Sequence, residues 1–241
     1  MTKVLETIGL RKSFGGVLVI DDLSISVEEG EALGIVGPNG AGKTTWFNLV
    51  TGAVKADAGK VIFEGKDITH YSKHARCRQG IGRTFQIPRP FSDMTVFENV
   101  LVGATYGRSR SERASYRRCV EALETTGLLA KANVLAGSLT LLNRKRLELA
   151  RALATDPTLL LMDEIAGGLT EAEVQELIEE IKKLRETGIT IVWIEHIVHA
   201  LLAVVDRIVV IQFGGELCQG DPHEVMNSEE VQACYMGGTP A

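Results

Sequence analysis

Residues Gly37-Pro38-Asn39-Gly40-Ala41-Gly42-Lys43-Thr44-Thr45 carry the pattern G-x-x-x-x-G-K-[ST], which runs from Gly37 to Thr44. An apolar run, Ala32 to Val36, precedes it, and a helix is predicted after it over Thr44–Val50. Strand, glycine-rich bend and helix form the context in which this pattern cradles phosphate. Glycines let the backbone curl so that its N–H groups face anionic oxygens. The helix start adds the positive end of its dipole. On this reading Asn39, Gly40, Ala41, Gly42, Lys43, Thr44 and Thr45 line a triphosphate site. Lys43 reaches the β- and γ-phosphates, and the Thr44 hydroxyl ligates Mg2+. A chance glycine-rich turn before a helix is the bland alternative, and the order and context of the residues make it a poor one.

A phosphate loop alone names a superfamily of folds and no reaction. The discriminating residues come later in the chain. Leu159 to Met162 is an apolar run that ends in Asp163-Glu164. An acidic pair at the carboxyl end of a buried strand stands where ligands bind in such sheets. Asp163 is expected to hold Mg2+ through water, and Glu164 to accept a proton from the attacking water or to orient it. Without the phosphate loop, two surface carboxylates at a strand end would be the better reading. His196 follows a second apolar run, Ile189–Ile194, and is placed to donate a hydrogen bond to the γ-phosphate. Gln86, in Arg83-Thr84-Phe85-Gln86, is placed to reach Mg2+ or the water, a weak signal by spacing alone. Phe14, before the Gly15-Gly16 turn, is balanced between stacking on an adenine ring and filling a core.

The elements that must position these groups are legible as an α/β pattern. Residues 4–36 alternate as strands, and another strand is expected at Lys60–Glu64. Thr95-Val96-Phe97-Glu98 and Thr170 with Glu173 have the spacing of helix-opening capping boxes. Val174, Leu177, Ile178, Ile181 and Leu184 form a helical stripe closed by Gly188, to which Glu179 and Lys183 add an i,i+4 pair. A further helix is predicted over Arg144–Ala154, and a strand over Ile208–Phe213 ending at Gly214-Gly215. Apolar strands alternating with helices imply a parallel sheet covered on both faces. The expected fold is a P-loop NTPase core with a mostly parallel sheet and an N-terminal antiparallel β region. One domain spans 1–241, its core in 1–70 and 156–241, with a mostly helical lobe inserted at about 71–155.

Composition narrows the function classes. The 241 residues are 45% hydrophobic and 24% charged, ordinary globular values. A net charge of −5 gives no support for a nucleic-acid partner. Cys77, Cys119, Cys218 and Cys234 are scattered, with no C-x-x-C pair, and read as reduced thiols rather than zinc ligands. No apolar signal core opens the chain, and no window approaches the ~20 apolar residues of a membrane span.

Taken together, the series resembles the ATP-binding subunit of an ABC transporter over nearly the full chain. Phe14, Gly37–Thr45, Gln86, Leu139–Asn143, Asp163-Glu164, Gly168-Leu169-Thr170 and His196 match, in order, the family's adenine-stacking residue, Walker A, Q-loop, signature, Walker B, D-loop and H-loop. Lys12–Gly16, Gly82–Gln86, Met94–Val100 and Arg146–Leu153 resemble the branch that imports branched-chain amino acids. The resemblance implies ATP and Mg2+ as ligands, with two ATP molecules sandwiched head to tail by two such subunits, identical or different. It also implies membrane permease subunits as partners, indirectly a solute-binding protein, and a peripheral location on the cytoplasmic face of the membrane.

The signature departs from the family's Leu-Ser-Gly-Gly-Gln. Thr140 keeps a hydroxyl, and Asn143 is one methylene shorter than Gln. Leu142 replaces a glycine whose bare backbone approaches the γ-phosphate of the other subunit, where a side chain is expected to block approach or forbid a positive φ. Leu142→Gly is then expected to raise the ATPase rate of the assembled complex. Ile165 replaces the proline that normally follows the Walker B glutamate. These departures keep two alternatives open: a nucleotide-binding regulatory module with weak hydrolysis, and a non-transport ATPase of the same class.

Overall fold

The computed structural model describes residues 2–108 and 111–236. The chain falls into two compact units, Met1–Lys73 with Thr190–Ala241, and His74–Ile189. The first opens with β1 (Lys3–Phe14), β2 (Val17–Glu28), β3 (Ala32–Val36), α1 (Lys43–Val50), β4 (Ala58–Phe63) and β5 (Lys66–Asp67). The second holds α2 (Lys73–Gln79), β6 (Ile81–Arg83), α3 (Val96–Tyr106), α4 (Glu112–Thr125), α5 (Leu141–Ala154), β7 (Leu159–Asp163) and α6 (Glu171–Arg185). The chain then returns to the first unit with β8 (Thr190–Ile194), α7 (Val198–Leu202), β9 (Arg207–Gln212), β10 (Gly215–Gly220), α8 (Pro222–Asn227) and α9 (Glu229–Met236).

In the first unit, the alternation of the opening residues becomes an antiparallel sheet of order β2-β1-β4-β5. Thr7 pairs with Ile25, Leu10 with Leu23, and Leu5 with Phe63. The buried Thr7 hydroxyl accepts from Trp46 Nε1 at 3.1 Å and from the Ile25 N–H at 2.9 Å, which fastens α1 to this sheet. The apolar runs form the second layer: β3 lies parallel to both β8 and β9, and β10 closes antiparallel on β9. All five residues of β3 and all five of β8 are buried. Side chains on both faces of a parallel strand meet covering elements, so such strands read as continuous hydrophobic runs. Trp46, Phe47, Phe63 and Trp193 are among the largest buried side chains of this unit.

In the second unit β6 and β7 pair in parallel, with Arg83 opposite Leu161. Around them α3 packs on α4 and α5, and α4 on α6. The helical lobe expected at about 71–155 lies in this unit, which also takes in β7 and α6. Both capping boxes form: Thr95 with Glu98 opens α3, and Thr170 with Glu173 opens α6. The ion pair on the exposed side of α6 is one residue off the expected spacing, since Glu179 takes Lys182 at 2.9 Å. α5 begins earlier than its apolar stripe suggested. The Thr140 hydroxyl caps it, accepting from the Asn143 N–H, so the signature residues are themselves the first turn of a helix.

Candidate functional site

In the first unit the phosphate loop leaves β3 and enters α1 as expected. Gly37 and Gly42 have φ of 148° and 106°, a region closed to most L-residues. A Cβ on Gly37 would lie 2.1 Å from the Ile211 carbonyl, and one on Gly42 2.7 Å from Ile20 Cδ1. β9 and β2 therefore press against the loop, and only glycine permits that approach. Lys43 is buried, its ammonium donating to the carbonyls of Gly37 at 2.6 Å and Pro38 at 3.0 Å. Thr44 is exposed on the first turn of α1 and Thr45 half-buried. The loop has a support that the sequence did not suggest: the Tyr235 hydroxyl, on α9, accepts from the Gly37 N–H at 2.8 Å. Burial raises the Tyr235 pKa and this backbone bond lowers it, the first effect being the larger.

Phe14 closes β1 and is 48% exposed, which removes the core alternative. Lys12 stands over its ring at 5.4 Å and also holds Asp57 at 2.6 Å. His196 is exposed just beyond β8. Because Ile35 pairs with Ile194 in the β3–β8 register, His196 emerges at the same sheet end as Gly37.

In the second unit Asp163 ends β7 with its carboxylate buried against Arg83, at 2.7 Å. The next residue, Glu164, turns the chain at φ 47°. Gln86 Nε2 donates to Glu164 Oε2, which unites two residues far apart in the chain. Lys145, on α5, donates to the backbone carbonyls of both, at 2.7 Å for Gln86 and 3.3 Å for Glu164. Sequence reasoning missed Arg83 and Lys145. A lysine at a core position of α5, one helical turn from Leu142 and Leu149, was the signal available for the second.

The signature expectations change in part. Leu142 is helical, outside the positive-φ residues, so its side chain strains no backbone. That side chain is 6% exposed, and Leu141 beside it is 43% exposed. The residue that replaces the family glycine is therefore packed into its own unit. Asn143 Nδ2 turns back on the Thr140 hydroxyl at 3.0 Å.

Thr44, Asp163 and Gln86 offer hydroxyl, carboxylate and amide oxygens, the hard donors that Mg2+ requires. Each of these donor types suits the ion.

The ABC transporter family model matches residues 20–167. The chain belongs to the ABC transporter family. Its relatives include the high-affinity branched-chain amino acid transport ATP-binding protein BraF of Pseudomonas aeruginosa, 36% identical over 97% of this chain and 98% of the relative. The probable branched-chain amino acid transport protein LivG of Archaeoglobus fulgidus is also 36% identical, over 98% and 96%. The lipopolysaccharide export ATP-binding protein LptB of Haemophilus influenzae is 33% identical over 97% of each chain. Among solved structures, the ADP conformation of an ATP-binding cassette from an ABC transporter superposes with a TM-score of 0.90 at 32% identity, covering 98% of this chain and 100% of that one. A nucleotide-free cassette superposes at 0.88, also at 32% identity, covering 97% and 98%.

Proposed function

We propose that this ABC cassette binds and hydrolyses Mg·ATP to drive import of a small solute, with branched-chain amino acids as the favoured cargo. The observation that carries the hydrolytic part is the hydrogen bond between Gln86 and Glu164, beside the buried carboxylate of Asp163. It joins a group able to orient water to a group able to take its proton. On this reading the phosphate-loop N–H groups and Lys43 neutralise the triphosphate, and Phe14 stacks on the adenine. Glu164 orients and deprotonates the attacking water, and His196 steadies the γ-phosphate. Thr44, Asp163 and Gln86 would hold Mg2+, which would supply charge neutralisation for the triphosphate. Thr140, Asn143 and the backbone at Leu142 would face the nucleotide of a second ATP-binding subunit, identical or different.

The cargo rests on the names of the relatives, one of which, LptB at 33% identity, is named for lipopolysaccharide export instead. No helix among the described residues is long and apolar enough to cross a membrane. In this reading, force passes to permease subunits on which the cassette sits peripherally, at the cytoplasmic face, with a solute-binding protein delivering the cargo to them. Intact Lys43, Glu164 and Gln86 disfavour the regulatory alternative. The test compares Glu164→Gln with the unaltered chain in Mg·ATP. A hydrolase loses phosphate release and accumulates as an ATP-bound dimer. A regulatory module binds ATP equally in both forms and releases little phosphate from either.

A further inference from the structure

We propose that Lys145 is a positioning residue for ATP hydrolysis, clamping the backbone of Gln86 and Glu164 together from the signature helix. The inference rests on the hydrolytic reading above and adds to it a residue that never touches nucleotide.

Lys145 is 3% exposed. A buried ammonium must spend its donors on good acceptors, and two of those here are the carbonyls of Gln86 and Glu164. Gln86 lies three residues beyond β6, and Glu164 immediately follows β7, its parallel neighbour. One cation thus pins two strand ends at the point where their side chains meet. Glu164 needs such a pin, because its φ of 47° is a conformation that a non-glycine residue keeps only when its surroundings over-determine it. The 2.7 Å bond to the Gln86 carbonyl has the length of a charge-assisted hydrogen bond, and the longer 3.3 Å bond tethers the Glu164 carbonyl beside it, so together they limit where the Glu164 carboxylate points. The lever is α5, whose first turn carries Thr140, Leu142 and Asn143. A shift of that helix is transmitted through Lys145 to the water-activating pair.

The test uses the full chain with Lys145→Met, which keeps the apolar stem and removes the donors, and Lys145→Arg, which keeps the charge. Misplacing a reacting group by about 1 Å costs on the order of 10²-fold in rate. The Met variant is therefore expected to lose about that much kcat while its KM for Mg·ATP stays within about twofold, and the Arg variant to recover most of the rate. Hydrogen exchange, read without nucleotide, should accelerate in 85–88 and 164–167 of the Met variant while the interior of α5 stays protected. Unchanged kcat with unchanged exchange in those segments overturns the inference. So does a parallel loss of kcat, KM and urea resistance that Arg fails to rescue. Should the unaltered chain bind ATP without hydrolysing it, the functional reading fails, and the exchange result alone still decides whether the clamp exists.

Discussion

At the scale of single residues, burial decides two outcomes. Leu142→Gly was expected to speed hydrolysis by opening the signature. Leu142 is packed inward on the first turn of α5, so the same change also removes a buried side chain and introduces a poor helix former. The cost is expected to reach about 3 kcal/mol or more, read as a lowered urea midpoint, and any gain in rate must be measured on protein shown to be folded. Glu148 is the second case. Burial raises its pKa, and the neighbouring Arg151 at 3.0 Å only partly opposes this. An acid with a raised folded-state pKa favours folding below its unfolded pKa and loses that contribution as pH rises through the folded value. Glu148→Gln is therefore expected to stabilise the chain at pH 7. The gain should vanish below pH 4, and denaturant titrations at the two pH values check it.

At the scale of elements, three helices are opened by threonine caps, and each cap sets a boundary that matters to the site. Thr140 caps α5 and so places the signature residues on its first turn. Thr140→Ala is expected to cost about 1 kcal/mol and to fray that turn, seen as faster amide exchange at 141–144. In α3 and α6 the capping glutamates, Glu98 and Glu173, have pKa values lowered first by the backbone N–H of Thr95 and Thr170 and then by the threonine hydroxyls. A lowered carboxylate contributes stability above its unfolded pKa and loses it as pH falls through the folded value. Glu98→Gln with Glu173→Gln keeps side chains that can cap but not ionise. The thermal midpoint of that variant should fall less steeply below pH 5 than that of the unaltered chain, and parallel curves would contradict the assignment.

At the scale of the whole molecule, the chemistry is divided between the two compact units. Phe14, the phosphate loop and His196 belong to the first; Gln86, the signature, Asp163 and Glu164 belong to the second. The first is braced from the end of the described chain, where Tyr235 on α9 accepts from the loop's leading glycine N–H. Tyr235→Phe removes that acceptor and is expected to cost about 1 kcal/mol, with faster exchange at the Gly37 amide and no change in circular dichroism. The thiols report on packing as a whole. Cys119 is fully buried and its pKa is pushed up to about 11 by burial, so iodoacetamide at pH 8 should leave it unmodified until the chain unfolds.

The sequence by itself determined what depends on neighbours along the chain. The phosphate loop follows from glycine's freedom at φ values closed to other residues, the buried strands from unbroken apolar runs, and the α3 and α6 starts from threonine and glutamate three residues apart. It also singled out Asp163, Glu164 and His196 by their distance from those strands, and Gln86 mainly through the family resemblance. Only the tertiary structure decided which groups meet across the chain: Arg83 on Asp163, Lys145 on Gln86 and Glu164, and Tyr235 on Gly37. It also decided that Phe14 is exposed and that Leu142 faces inward. Those outcomes depend on which strand pairs with which and which helix face is covered. Residues 59, 19 and 198 positions apart leave no periodic trace in one sequence when they come into contact.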